Sequence, residues 1–139
     1  MKRVYLDSNI FIAFIRGDMG KPFKAMYHSV ETLFKRFPEN HVLVLSGIFF
    51  NEVKDNGFYS RDETLAFFRE YEIKVIAIES TEKDSKLANE FMQKGVHRQD
   101  AMHAAMAINN GCAVLLTYNK KDFVPVNGMV AVLEPNDLL

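Results

Sequence analysis

VYLDSNI, residues 4–10, ends a short apolar run on Asp7-Ser8-Asn9 and returns at once to Ile10, Phe11 and Ile12. The run Arg3–Leu6 is continuously apolar after its first residue, the pattern of a strand covered on both faces in a parallel sheet. Asp-Ser-Asn then stops that strand. Val42–Leu45, Lys74–Ile78 and Ala113–Thr117 share its character, and Met129–Leu133 is a weaker fifth run.

Helical spacing fills the intervals. Lys21–Phe37 sets Phe23, Met26, Val30, Leu33 and Phe34 on one face; Ile48–Lys54 follows Ser46, a good N-cap. Arg61–Tyr71, Glu82–Lys94 and Gln99–Asn110 read as further helices, the last ending before Gly111, a common helix stop. Strands alternating with helices predict an α/β fold, a three-layer sandwich around a mostly parallel sheet of four to five strands. Helical segments outnumber strands, so one or two crossovers are expected to carry helical hairpins.

A chain of 139 residues reads as a single domain over 1–139, long enough to bury roughly two thirds of its unfolded surface. No apolar stretch nears the ~20 residues of a membrane helix, and three apolar residues before Asp7 make no signal-peptide core. Membrane partners are therefore not expected. Cys112 is the single cysteine, which forbids an internal disulfide and suits a reducing, cytoplasmic setting. A net charge of −1 gives no bulk attraction to nucleic acid, although acids gathered at one place can mask basic residues elsewhere.

Ligands of parallel α/β sheets bind at the carboxyl ends of the strands, where helix N-termini also lie. That rule sorts the acids. Asp7 ends the first strand, Glu52 lies about two turns into the helix after the second, and Asp100 sits in the first turn of the Gln99–Asn110 helix. Asn119 and Asp122 follow the fourth strand. Taken singly, Asp7 suits a turn or an N-cap, and Asp100 suits a first turn through the macrodipole alone. Glu52, among Ile48, Phe49, Phe50 and Val53, has no such excuse. Crowded carboxylates repel unless a cation compensates. Oxygen ligands without thiolates select Mg²⁺ or Mn²⁺, which suits hydrolysis of a phosphodiester by metal-activated water.

Four stretches, VYLDSNIFI at 4–12, SGIFFNEVKD at 46–55, QDAMHAAMA at 99–107 and LLTYNKKDF at 115–123, occur in the order found in the PIN-domain ribonucleases. The chain resembles that family, and in its compact length the VapC-like toxins of type II toxin–antitoxin modules. The resemblance implies a metal-dependent endoribonuclease with Mg²⁺ (or Mn²⁺) as cofactor, RNA as substrate, a homodimer, and a cognate antitoxin that sets a basic side chain among the acids. It implies Asp7, Glu52 and Asp100 as the acidic core, with Asp7 and Asp100 the direct metal ligands. Asn9 matches a residue that supports the first Asp, and Thr117 a Ser/Thr near the metal. Many relatives carry Asp where this chain has Asn119; Asp122, three residues later, is the other candidate for that position.

Arg98, Lys120 and Lys121 flank these acids and are the first candidates for RNA phosphates, ahead of Arg16, Lys21 and Lys24. Phe58, Tyr59 and Tyr118 are candidates for stacking on unpaired bases, although such residues usually fill cores. No histidine pair has the spacing of a helical zinc site. His103 lies one turn from Asp100, where it suits ordinary packing or a contact with that acid. Cys112, Met102 and Met106 read as packing residues. Two other readings stay open: a catalytically silent PIN-fold module that binds RNA or acts as a scaffold, and a phosphotransfer enzyme using Asp7 as nucleophile. The second needs an acid two residues on, where this chain has Asn9.

Overall fold

The structure, a computed structural model, describes residues 1–18, 24–56 and 59–138. Its five strands are β1 (Lys2–Leu6), β2 (His41–Ser46), β3 (Val75–Ile78), β4 (Val114–Leu116) and β5 (Ala131–Leu133). They form one sheet in the order β3-β2-β1-β4-β5, with every neighbouring pair parallel. Helices α1 (Ser8–Asp18) and α2 (Lys24–Lys35) join β1 to β2, and α3 (Gly47–Asp55) and α4 (Arg61–Glu70) join β2 to β3. Helices α5 (Glu82–Gln93) and α6 (Arg98–Asn109) carry the chain to β4; a 3-10 segment, Lys120–Val126, leads to β5, and α7 is Pro135–Leu138. Each of the crossovers β1–β2, β2–β3 and β3–β4 thus holds a helix pair, more than the one or two expected.

The three layers follow from side-chain alternation along the strands. Val4, Leu6, Leu43, Leu45, Val114 and Leu116 face one core with α1 to α4; Tyr5, Val44 and Leu115 face the other with α5, α6 and the 3-10 segment. The first core is aromatic. The fully buried Phe11 ring lies 5.1–5.9 Å from the rings of Phe67, Phe68, Phe49 and Tyr59. The second is lined by the small residues Ala101, Ala104, Ala105 and Ala107 of α6, which let that helix sit close to the sheet.

Helix α1 is the element that residues 10–16 did not disclose, because an Ile/Phe-rich run suits strand and helix alike. In place, Ile10, Phe11 and Phe14 form its buried stripe, and the Ile10 amide donates to the Asp7 carbonyl at 3.2 Å. Asp7 is therefore both the end of β1 and the entry to α1. Helix α2 begins at Lys24; of its expected anchors, Val30, Leu33 and Phe34 are buried, while Phe23 and the Met26 side chain lie outside the described residues. Gly111 follows α6 with φ +68°, the left-handed stop its position suggested. No helix among the described residues is long and apolar enough to cross a membrane.

Candidate metal centre

After β3 the chain crosses the sheet through α5 and α6 to β4, which pairs with the free side of β1. The direction of winding reverses there, and the crevice at the carboxyl ends of β1 and β4 is where open α/β sheets hold ligands. Asp7 leaves β1 into that crevice and Thr117 leaves β4 beside it. The Asp7 amide donates to the Leu116 carbonyl at 3.0 Å, which pins the carboxylate to the strand end. Asp7 is only 6% exposed; its Oδ2 accepts from Thr117 Oγ1 at 2.9 Å and its Oδ1 from the Asn9 amide at 3.5 Å. Asn9 ties the two strand exits together: Nδ2 donates to Thr117 Oγ1 at 3.2 Å, and Oδ1 accepts from the Tyr118 amide at 3.4 Å.

Glu52 arrives on α3, which Ser46 caps by accepting from the Phe49 amide at 3.1 Å. Its carboxylate is held at both ends. Oε2 accepts from Ser8 Oγ at 3.0 Å, and Oε1 from His103 Nε2 at 3.3 Å. Asp100 lies in the first turn of α6, where the helix dipole favours a negative charge.

Burial and like charge shape the electrostatics. Burial pushes the Asp7 carboxyl up, and the Glu52 charge adds to it, against the opposing His103 charge and the Thr117 and Asn9 hydrogen bonds. Asp100 is raised by burial and then by the charges of Asp7 and Asp122, so those three carboxyls share one neighbourhood. Glu52 is the exception. Burial raises it, but hydrogen bonds from His103, Ser8 and Gln99, with the His103 charge, hold it below the usual glutamate range. Burial alone pushes the His103 imidazole down; its bond to Glu52 and the charges of Asp7, Glu52 and Asp100 prevail and raise it. As imidazolium, Nε2–H donates to Glu52 and Nδ1–H to the Tyr5 hydroxyl 2.6 Å away, which in turn donates to Ser46 Oγ at 3.1 Å.

Among the described residues, no group of three or more Asp, Glu, His or Cys side chains is gathered closely enough to hold an ion. Mg²⁺ does not require one, since it commonly takes one or two carboxylates and keeps its waters. Asp7 and Asp100, both carrying charge at a cost in a half-dry crevice without a thiolate, fit such a hard cation. Glu52, with each oxygen already engaged, fits a role beside the ion better than a place on it.

The remaining sequence candidates divide. Asp122, in the first turn of the 3-10 segment, presses on Asp100 electrostatically. Asn119 donates its amide to Thr117 Oγ1 at 3.1 Å and lines a cavity of about 330 Å³ with Asn9, Ile12, Arg16, Glu52 and Tyr118. Arg98 lines a more apolar hollow with Ile48, Gln99 and Met102. Lys121 is exposed, while Lys120 is paired with Asp137 at 3.1 Å. Tyr59 packs against Phe11, while the half-buried Tyr118 packs against the same core and also lines the cavity, with burial pushing its hydroxyl up to about 12. Phe58, Lys21 and the Lys24 side chain lie outside the described residues. His103, for which the sequence left packing or a contact with Asp100 open, is buried with Glu52 and Tyr5 as its hydrogen-bond partners. Cys112 is buried and its thiol pushed up to about 11, which leaves it an inert packing group; Met106 is fully buried, as expected. Ser8 and Tyr5 were missed: a serine after the acid and a tyrosine in an apolar strand carry no periodic signal.

A scan against protein-family models gives no match, and a sequence search of curated proteins gives none either. Solved structures do match. A chain of the VapBC2 complex from Rickettsia felis, bound to a DNA fragment from its promoter, superposes with a TM-score of 0.61 at 21% identity, over 95% of this chain and 98% of that one. VapBC-1 from nontypeable Haemophilus influenzae gives 0.65 at 18% identity, over 96% and 98% of the two chains. A toxin–antitoxin complex from Klebsiella pneumoniae gives 0.66 at 19%, over 95% and 97%. This chain shares its fold with chains of these toxin–antitoxin complexes. At these identities the likeness is one of architecture, spanning nearly the whole chain with its all-parallel five-strand sheet.

Proposed function

We propose that this protein is a Mg²⁺- or Mn²⁺-dependent endoribonuclease and the toxin of a toxin–antitoxin pair. The observation that carries the reading is the convergence, at the winding reversal of the sheet, of Asp7, buried at the end of β1, and the half-buried Asp100, whose carboxyl is raised by burial and by the Asp7 charge. Asp7 and Asp100 hold the metal; a bound ion supplies an activated water and stabilises charge on the phosphate and the leaving oxygen. Thr117 and Asn9 fix the Asp7 carboxylate, so that its orientation is set before any ligand arrives. Glu52, held ionised below the usual glutamate range, is a weak base and a good acceptor, and its part is to orient the attacking water. Asp122 adds negative charge beside Asp100, and Asn119 offers its amide to the same crevice from the Glu52 side. Arg98 and the exposed Lys121 supply the phosphate contacts, which makes RNA affinity salt-dependent.

The structural neighbours are toxin–antitoxin complexes, which supports a cognate antitoxin as partner; an antitoxin that covers this crevice and a homodimeric, cytoplasmic toxin complete the proposal. The test is cleavage of a mixed RNA pool with Mn²⁺ or with EDTA, beside Asp7→Asn. Cleavage that requires the ion and falls at least about 100-fold in the variant is the expected result, the scale of a lost charge-stabilising group. A folded Asp7→Asn protein that cuts like the wild type overturns the reading. A silent PIN-fold module is the second reading; the observation behind it is Asn119, an uncharged side chain where an acid would complete the set. Calorimetric titration with Mn²⁺ separates the two, since a silent module has no use for the ion.

A further inference from the structure

A buried polar chain runs beneath the acidic crevice, and no step above uses it. Tyr5, Ser46 and His103 are 0%, 0% and 2% exposed. The Tyr5 hydroxyl stands 2.6 Å from His103 Nδ1 and 3.1 Å from Ser46 Oγ, and His103 Nε2 meets Glu52 Oε1 at 3.3 Å. These residues sit on the elements that deliver the three acids: Tyr5 on β1 before Asp7, Ser46 at the head of α3 before Glu52, and His103 on α6 one turn after Asp100.

Packing does not ask for an imidazole at this position. Its buried neighbours on α6 are Ala101, Ala104, Ala105, Met106 and Ala107, and a leucine would fill the space with no polar atom to satisfy. A satisfied buried polar group adds little net stability over apolar groups that replace it together with its partners; the leucine alone also takes one partner from Glu52 Oε1 and from the Tyr5 hydroxyl, which keeps Ser46. What the imidazole adds is aim. Its Nε2 grips one oxygen of Glu52 while Ser8 grips the other, and two anchors fix the plane of a carboxylate where one would leave it to rotate.

We infer that His103, braced by Tyr5 and Ser46, is a positioning residue that sets the orientation of the Glu52 carboxylate in the acidic site. The inference rests on the metal-dependent reading above. It is tested by calorimetric Mn²⁺ titration of the wild type, His103→Leu, His103→Gln, Glu52→Gln and the double variant His103→Leu/Glu52→Gln, with thermal melts as a check of folding. Because Glu52 orients a water of the ion's shell, His103→Leu weakens Mn²⁺ binding about 10-fold, the low end for groups that support the metal site from outside its ligands. His103→Gln keeps an N–H to offer Glu52 and recovers most of that loss. In the Glu52→Gln background the leucine changes affinity by less than about 2-fold, because the group it aims has gone. Should His103→Leu fail to fold, Tyr5→Phe, which deletes a single hydroxyl, takes its place in the same cycle.

An equal loss in both backgrounds, a leucine variant that binds Mn²⁺ like the wild type, or no rescue by glutamine overturns the inference and leaves the metal-dependent reading standing. A wild-type protein that binds no Mn²⁺ overturns that reading and the inference with it.

Discussion

At Asp7 a carboxylate is 6% exposed, with one hydroxyl and one long amide contact to share its charge. Because burial raises its folded-state pKa above 3.8, the carboxyl's contribution to stability is complete below that value and is lost as pH rises through the folded pKa. At neutral pH the ionised group therefore works against the fold. Asp7→Asn keeps an oxygen for Thr117 and sheds the charge, so the variant that loses cleavage melts higher, by about 0.5–2 kcal/mol. Differential scanning calorimetry at pH 7 reads the gain, and the gap narrows as pH falls toward 3.8; an equal or lower melting temperature in the variant at pH 7 refutes it. The acids themselves were legible in sequence, since strand ends and helix starts converge at one sheet edge whatever the side chains do. Their partners were not. Asp100 and His103 are one turn apart on α6, yet the imidazole turns inward to Tyr5 and Glu52, a choice made by the sheet beneath the helix.

Among the elements, α1 shows why a motif is easier to read than a helix. The Asp-Ser-Asn break after β1 stands out, whereas Ile10–Ile15 has no polar face to betray a helical period: Ile12 and Ile15, turned away from the deepest core, are themselves partly buried under neighbouring elements. The helix is held by contact with the aromatic core. Phe11 is fully buried against four rings, and Phe11→Ala removes the centre of that cluster. A loss of about 3–5 kcal/mol is expected, read as a lower urea midpoint with an unchanged slope. A loss under about 1 kcal/mol would mean that the rings repack around the gap. The α6 boundaries were readable to within a residue because Gly111 takes a backbone angle that other residues resist.

For the molecule as a whole, the alternation of strands and helices was legible, but the strand order was not, because nothing in a sequence says on which side of β1 a later strand will land. That order places Asp7 and Thr117 together. It also lets a ligand of the crevice stabilise the entire domain by mass action: Mn²⁺ at 100 times its Kd adds about 2.7 kcal/mol. A thermal shift of that size in the wild type, absent in Asp7→Asn, is the expected outcome, and a shift shared by both locates the ion elsewhere. Protons compete for the same raised carboxyls, so Mn²⁺ affinity measured at falling pH declines above the ordinary aspartate range. Finally, the central strand has a consequence for how the protein is born. Translation delivers β1 well before β4, with Asp7 and Thr117 110 residues apart. A ribosome still short of β4 carries an Asp7 with no Thr117 to orient it and an open flank on β1. On the proposed reading, the cell making this protein is spared its activity until β4 has been laid down beside β1.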